Sequence, residues 1–261
     1  MIHVAAVGDV HVGPESAGAL RQQLATASER ADLLLLAGDL TKSGAVEEGE
    51  VVAAELQGLP VQVVAVLGNH DHHSDRPVEI AAMLRDVGVA VLEGDAIRVD
   101  APSGSIGVAG VKGFGGGFAG ANAAEFGERE MKAFIRHSKE RAEALGSALD
   151  SLDTDVRIAL MHYSPVRDTL QGEPPEIFPF LGSFLLGEAV DRAGADLVVH
   201  GHAHRGIEHG LTPGGVHVRN VAQSVIRQGY AVYGFERVGS DRPAAPMVAS
   251  TGSTEPSASN H

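Results

Sequence analysis

Five short apolar runs in this chain each end in a side chain that can hold a metal ion. Val4–Val7 leads to Gly8, Asp9 and His11, and Leu33–Ala37 leads to Gly38 and Asp39. Val63–Leu67 leads to Gly68, Asn69 and His70, Ile158–Met161 to His162, and Leu197–Val199 to His202 and His204. An apolar run of four or five residues without alternation is the pattern of a strand covered on both faces. Strands that all finish this way deliver their ligands to one edge, so the chain must fold as a layered α/β structure with that edge as its working end.

The segments between the runs supply the crossovers. Leu20, Leu24 and Ala27 recur at helical spacing within Ser16–Arg30, predicting one helix that returns the chain to the second strand. Val46–Leu56 reads as a second helix, ended by Gly58-Leu59-Pro60, and Arg76–Val87 as a third. Then the grammar changes. Val89–Leu92, Ala96–Val99 and Ser105–Gly110 follow one another as strands, the last two joined through Ala101-Pro102-Ser103-Gly104, so antiparallel pairing is expected and the sheet system is mixed. Ala123–Leu149 reads as one long charged helix and Phe184–Ala193 as another. Val156–Met161, Asp196–Val199, Val216–Val221 and Tyr230–Glu236 complete the strands. The domain is expected to span residues 1–238. From 239 to 261 the chain is Ser, Pro, Ala and Thr without a period, which reads as a disordered tail.

Composition narrows the chemistry. A net charge of -14 argues against a protein that gains affinity by neutralising nucleic-acid phosphates. The absence of cysteine removes disulfides, thiolate metal sites and thiol nucleophiles together. No basic leader precedes the first strand, and no apolar run approaches the roughly 18 residues of a membrane span, so a cytoplasmic protein is expected.

Each motif has a bland reading beside the chemical one. Asp9-Val10-His11 is either a surface turn or a hard oxygen and an imidazole nitrogen on one ion. Gly68-Asn69-His70-Asp71 is either a strand-end turn or a carbonyl ligand followed by a histidine able to donate a proton. His72 and His73 read as exposed loop residues. Gly115, Gly117 and Gly120 spell G-x-G-x-x-G, but no second strand with a ribose-binding acid follows, so a mobile glycine loop or a lid is expected instead of a dinucleotide site. Gln171–Phe180, rich in proline and acid, reads as a loop over the site or an interface. In His202-Ala203-His204 on an extended segment, both rings would project to the same side.

Together the fragments supply seven ligands. If Asp39 bridges, Asp9, His11, Asp39 and His204 serve one ion, and Asp39, Asn69, His162 and His202 the other. Two ions about 3.5–4 Å apart suit in-line attack on phosphorus. Mixed nitrogen and oxygen donors without sulfur suit Mn, Fe, Zn or Co, divalent or mixed-valence, better than Mg.

The order D-x-H, G-D, G-N-H-D, H, G-H-x-H resembles the calcineurin-like metallophosphoesterase superfamily, over residues 4–204. That resemblance implies a four-layer α/β/β/α sandwich with two mixed sheets flanked by helices. It implies the same metal assignment position by position, attack on a phosphoester by a metal-bridging hydroxide, His70 as general acid, and Asp71 orienting it. Leu40-Thr41-Lys42-Ser43-Gly44 looks more like the cyclic-nucleotide phosphodiesterase branch than the protein phosphatases. The expected partner is a small phosphorylated substrate, with a homodimer possible. A metal-dependent nuclease and a non-catalytic scaffold on the same fold are the alternatives.

Overall fold

The computed structural model describes residues 1–236; the tail expected over 239–261 lies outside them. In chain order the strands are β1 (Ile2–Val7), β2 (Leu33–Ala37), β3 (Gln62–Val66), β4 (Ala90–Val91), β5 (Asp95–Ala101), β6 (Gly104–Val111), β7 (Gly117–Phe118), β8 (Ala121–Asn122), β9 (Val156–Met161), β10 (Leu197–His200), β11 (His209–Leu211), β12 (His217–Asn220) and β13 (Ala231–Phe235). The α-helices are α1 (Ala19–Leu24), α2 (Ala27–Arg30), α3 (Val46–Leu56), α4 (Pro77–Asp86), α5 (Arg129–Asp150), α6 (Phe178–Leu181), α7 (Phe184–Ala193) and α8 (Gln223–Ile226).

Two large sheets carry the core. The first runs β13-β1-β2-β3-β4 and the second β11-β12-β10-β9-β6-β5. β1, β2 and β3 are parallel, as are β6, β9, β10 and β12, while β13, β5 and β11 pair antiparallel at or near the edges. The continuous apolar runs resolve by alternation into two faces. Val4, Ala6, Leu33, Leu35, Val64 and Val66 point at Ile106, Val108, Ile158, Leu160, Leu197 and Val199 of the opposite sheet. Val7, Leu34, Leu36 and Ala65 point outward, onto Leu20, Leu24, Val52, Leu56, Ile80 and Leu84 of the helices. Behind the second sheet, Ala109, Val111, Ala159 and Met161 meet Leu145 and Leu149 of α5 and Leu186 and Val190 of α7. The result is helix on sheet on sheet on helix, the four-layer sandwich.

Several element boundaries differ from the sequence reading. Ser16–Arg30 is not one helix: it divides into a short 3₁₀ turn, α1 and α2. Glu55 of α3 accepts hydrogen bonds from the backbone of Gly18 and Arg21, which fixes where α1 begins. Thr26, between α1 and α2, binds the hydroxyl of Tyr230 at 2.7 Å. The long helix starts at Arg129 and not Ala123, because the preceding residues are folded back, with the Ala123 amide donating to the Gly116 carbonyl and Gly127 at φ 86°. The glycine-rich loop carries the hairpin β7-β8, tied to the Gln171–Phe180 region and its neighbours by Gly116 N to Pro179 O and Gly117 N to Gly182 O. That region itself contains a 3₁₀ turn and the start of α6. β11 and α8 carried no readable period.

Leu35 is fully buried between the sheets. Leu35→Ala is expected to destabilise the chain by about 2–5 kcal/mol, read as a lower urea midpoint with an unchanged slope.

Candidate metal centre

β1, β2 and β3 of one sheet and β9 and β10 of the other end at a common place, where the side chains just past their ends meet. Asp9, His11, Asp39 and His204 bring one potential ligand atom each to within 4.8 Å of one another, and so do Asp39, His162 and His202. Asp39 belongs to both groups. Asn69 joins the second, its Oδ1 lying 2.8 Å from His162 Nε2.

The turns that present these groups are held against their backbone preference. Asp9, His11, Asp39 and His202 all have positive φ, between 44° and 71°. Non-glycine residues in that region cost about 1–3 kcal/mol each when the conformation is sparsely populated, and they persist only where the surroundings fix them. Here the loops after β1 and β2 pair with each other, through Asp9 N to Gly38 O, His11 N to Asp39 O and Val12 N to Leu40 O, all near 3 Å. Gly38 has φ 82°, and a Cβ there would sit 2.7 Å from His162 Nδ1. At Gly68 a Cβ would overlap the Asp39 carboxylate. Gly38 lets the loops of the two sheets approach, and Gly68 lets neighbouring loops of the first sheet do so.

The donor set asks for a cation. His162 Nδ1 lies 2.9 Å from the Ala37 carbonyl and must donate to it, so its Nε2 is a bare lone pair. That lone pair nevertheless faces two more acceptors, Asn69 Oδ1 at 2.8 Å and Asp39 Oδ1 at 3.3 Å. Burial holds His162 well below its usual range, which keeps the ring neutral, and burial, with His162 second, lowers His202 to about 3. Neutral imidazole is the ligating form. Asp9 is pushed up to about 6, chiefly by burial and further by the Asp39 carboxylate. Two buried carboxylates among lone pairs, with no lysine or arginine ion-paired to either among the described residues, fit a metal ion well.

Not every sequence expectation about local geometry survives. β10 stops at His200, and His202 has a left-handed backbone, so His202 and His204 do not lie on an extended segment. They join different groups: His204 Nε2 contacts Asp9 Oδ1 at 2.9 Å, whereas the His202 ring packs 4.8 Å from that of His162. His200 is buried and turned away, bonded to Thr169 Oγ1 at 2.9 Å. Asp71 does not orient His70. Its carboxylate is taken up by the amides of Leu40, Thr41 and Gly68 and by the Thr41 hydroxyl, at 2.6–3.2 Å. Asp71 therefore locks the Asp39 loop to the Asn69 loop, and burial raises it to about 6. The His70 ring is held instead by the Lys42 carbonyl, 2.7 Å from Nδ1, leaving Nε2 3.9 Å from Asp39 Oδ2. His73 is exposed as expected, but His72 is half-buried.

Sequence reasoning also missed the carbonyls of Lys42 and Phe180, the latter 3.2 Å from His202 Nε2, and Tyr163, whose ring packs 4.4 Å from that of His202. Backbone acceptors leave no residue-type signal. Tyr163 had one, adjacency to His162. The ligands open to solvent through His11, His70 and His204, whose side chains are 25–43% exposed. A separate cavity of about 620 Å³, lined by Phe118, Val166, Arg167, Phe184 and Leu211 among others, contains none of them.

A family model for calcineurin-like phosphoesterases matches residues 2–206. No curated protein matches the chain in sequence. Among solved structures, phosphopantetheinyl hydrolase from Mycobacterium tuberculosis is similar over 93% of this chain and 98% of its own, at 18% identity and a TM-score of 0.64. TT1561 of Thermus thermophilus is similar over 85% and 89%, at 17% identity and 0.53. GAP50, the anchor in the inner membrane complex of Plasmodium, is similar over 85% and 72%, at 10% identity and 0.50. At these identities the likeness is one of fold.

Two outcomes test the centre. Asp39→Asn is expected to abolish tight metal binding in both groups at once, read as metal content after dialysis. Lowering the pH is expected to release metal from the Asp9 group first. Asp9 is raised to about 6 and His204 is raised, first by its bond to Asp9, so this group takes up protons before His162 and His202, which burial keeps unprotonated. Metal content measured between about pH 7.5 and pH 5 should therefore fall in two steps.

Proposed function

The chain belongs to the calcineurin-like phosphoesterase family, and from that premise we propose that it hydrolyses a small phosphodiester or phosphomonoester at a two-metal centre built on Asp39. The observation that carries this reading is the double membership of Asp39, one buried carboxylate common to both ligand groups. Asp9, His11, Asp39 and His204 would hold one ion, and Asp39, Asn69, His162 and His202 the other. Mixed nitrogen and oxygen donors favour Mn, Fe, Zn or Co. When bound, such a pair supplies Lewis acidity and an activated water for in-line attack on phosphorus.

The protein's own groups do the rest. Nδ1 of His70 donates to the Lys42 carbonyl, which turns Nε2 toward the centre. As the ester bond breaks, that nitrogen delivers a proton to the departing oxygen. Asn69 and His70 are adjacent on one loop, so the metal position and the proton donor are set by the same backbone, which the His70 amide pins to Asp39 Oδ1 at 2.8 Å. Asp71 keeps that loop in place and touches no reacting atom.

A net charge of -14 weighs against a nuclease. GAP50 is an anchor on this fold, but a scaffold has no need of seven convergent ligands with a histidine beside them. A hydrolase on the same fold spans nearly the whole chain.

The decisive assay uses metal-stripped protein with Mn restored, on paired chromogenic monoester and diester substrates. Turnover is expected only with metal. His70→Ala is expected to lower kcat by about 10²- to 10⁴-fold with metal content unchanged, and Asn69→Ala to lower metal content and kcat together. Metal-loaded wild type that turns over neither ester would point to the scaffold.

A further inference from the structure

Lys112 sits just past the end of β6, in the position that His162 occupies just past β9. The two strands are parallel neighbours with Val111 opposite Met161, so Lys112 and His162 leave the sheet side by side. The main chain of Lys112 is tied to that of its neighbour, its carbonyl accepting from the amides of His162 and Tyr163 at 3.0 and 3.1 Å. The residue is only 8% exposed. Buried lysines are ordinarily paired with a carboxylate. Among the described residues this ammonium makes no ion pair and no hydrogen bond. Glu93, an acid whose charge acts on it, is already engaged by Arg141 at 2.9 Å and by the Lys112 amide at 3.0 Å.

What the ammonium does have is an aromatic seat. It lies 5.1 Å from the Phe114 ring centre and 5.3 Å from that of Tyr163. Tyr163 in turn packs on His202, which places the ammonium one ring away from the second ligand group. Its charge acts on Asp39, His72, His137 and His162 as well. Two ring faces engage the charge of the ammonium but accept none of its N–H hydrogens as a carboxylate or phosphate oxygen would. The remaining donors point to a ligand.

We propose that Lys112 binds a second anionic group of the substrate, a carboxylate or a phosphate carried on the ester beyond the phosphorus that is attacked. The site would then select organic phosphoesters bearing a further negative charge. In a chain of net charge -14, the Lys112 ammonium would give the far end of such a substrate a positive charge to meet. This inference rests on the phosphoesterase reading for the position of the first phosphate, but its test does not depend on turnover.

Binding to Mn-loaded full-length protein is measured calorimetrically for three non-hydrolysable ligands: butylphosphonate, 4-phosphonobutyrate and butane-1,4-diphosphonate. The wild type is expected to bind at least one of the two longer anions about 10- to 100-fold more tightly than butylphosphonate, the stronger of them identifying the second group. Lys112→Met is expected to erase that preference and leave butylphosphonate binding within about twofold, and Lys112→Arg to restore part of the preference. Butylphosphonate affinity also reports that each variant is folded and metal-loaded. A wild type without preference, or a Lys112→Met variant that weakens all three ligands alike, overturns the proposal. A protein that discriminates the ligands yet hydrolyses no ester keeps Lys112 and loses the hydrolase reading; one that hydrolyses esters without discriminating loses only Lys112.

Discussion

Asp39 is a carboxylate with almost no water around it, 1% exposed, facing a second buried carboxylate and the lone pairs of an amide and several imidazoles. Nothing in the apolar core requires this arrangement, and on its own it opposes folding. The rest of the molecule can be understood as the means of holding it. Apolar side chains from six strands bring the two sheets together so closely that their loops touch, and a glycine stands at tight approaches such as that of Gly38 to His162. Asp71 spends its whole hydrogen-bonding capacity on fastening two of those loops. The sandwich is the anchor, and the ligands are the strain it carries.

The sequence made the anchor legible because a strand covered on both faces needs an unbroken apolar run, and few other structures do. It made the candidate ligands legible because only a handful of residue types can bind metal. Asp9, His11, Asp39, Asn69, His162, His202 and His204 converge in two groups that could hold metal ions. The geometry by which they do so was not legible. His202 and His204 lie in the two different groups expected of them, but by way of a left-handed turn at His202 and not along a continuing strand. The expected pairing of Asp71 with His70 failed for a similar reason. Adjacency in sequence says nothing about which way two side chains leave a turn, and backbone carbonyls such as that of Lys42 compete for the ring without any signature.

The irregular half of the site was least readable of all. Glycine-rich and proline-rich stretches suggest freedom when read singly. In three dimensions Gly116 and Gly117 bond to the backbone around Pro179 and Gly182, and each segment supplies the partners that the other lacks. Lys112 was passed over because an isolated lysine after a strand is ordinary; it acquires meaning only beside His162 and above two rings.

In the first sheet β1 lies between β2 and β13, so it is flanked on one side by a strand that follows within some thirty residues and on the other by Ala231–Phe235, near the end of the described chain. Throughout synthesis one edge of Ile2–Val7 stays without its partner, a bare ladder of amides and carbonyls on an apolar strand. Such an edge is open to pairing with any neighbouring nascent chain. That edge is covered only once Ala231–Phe235 has been added to the chain and has paired with it.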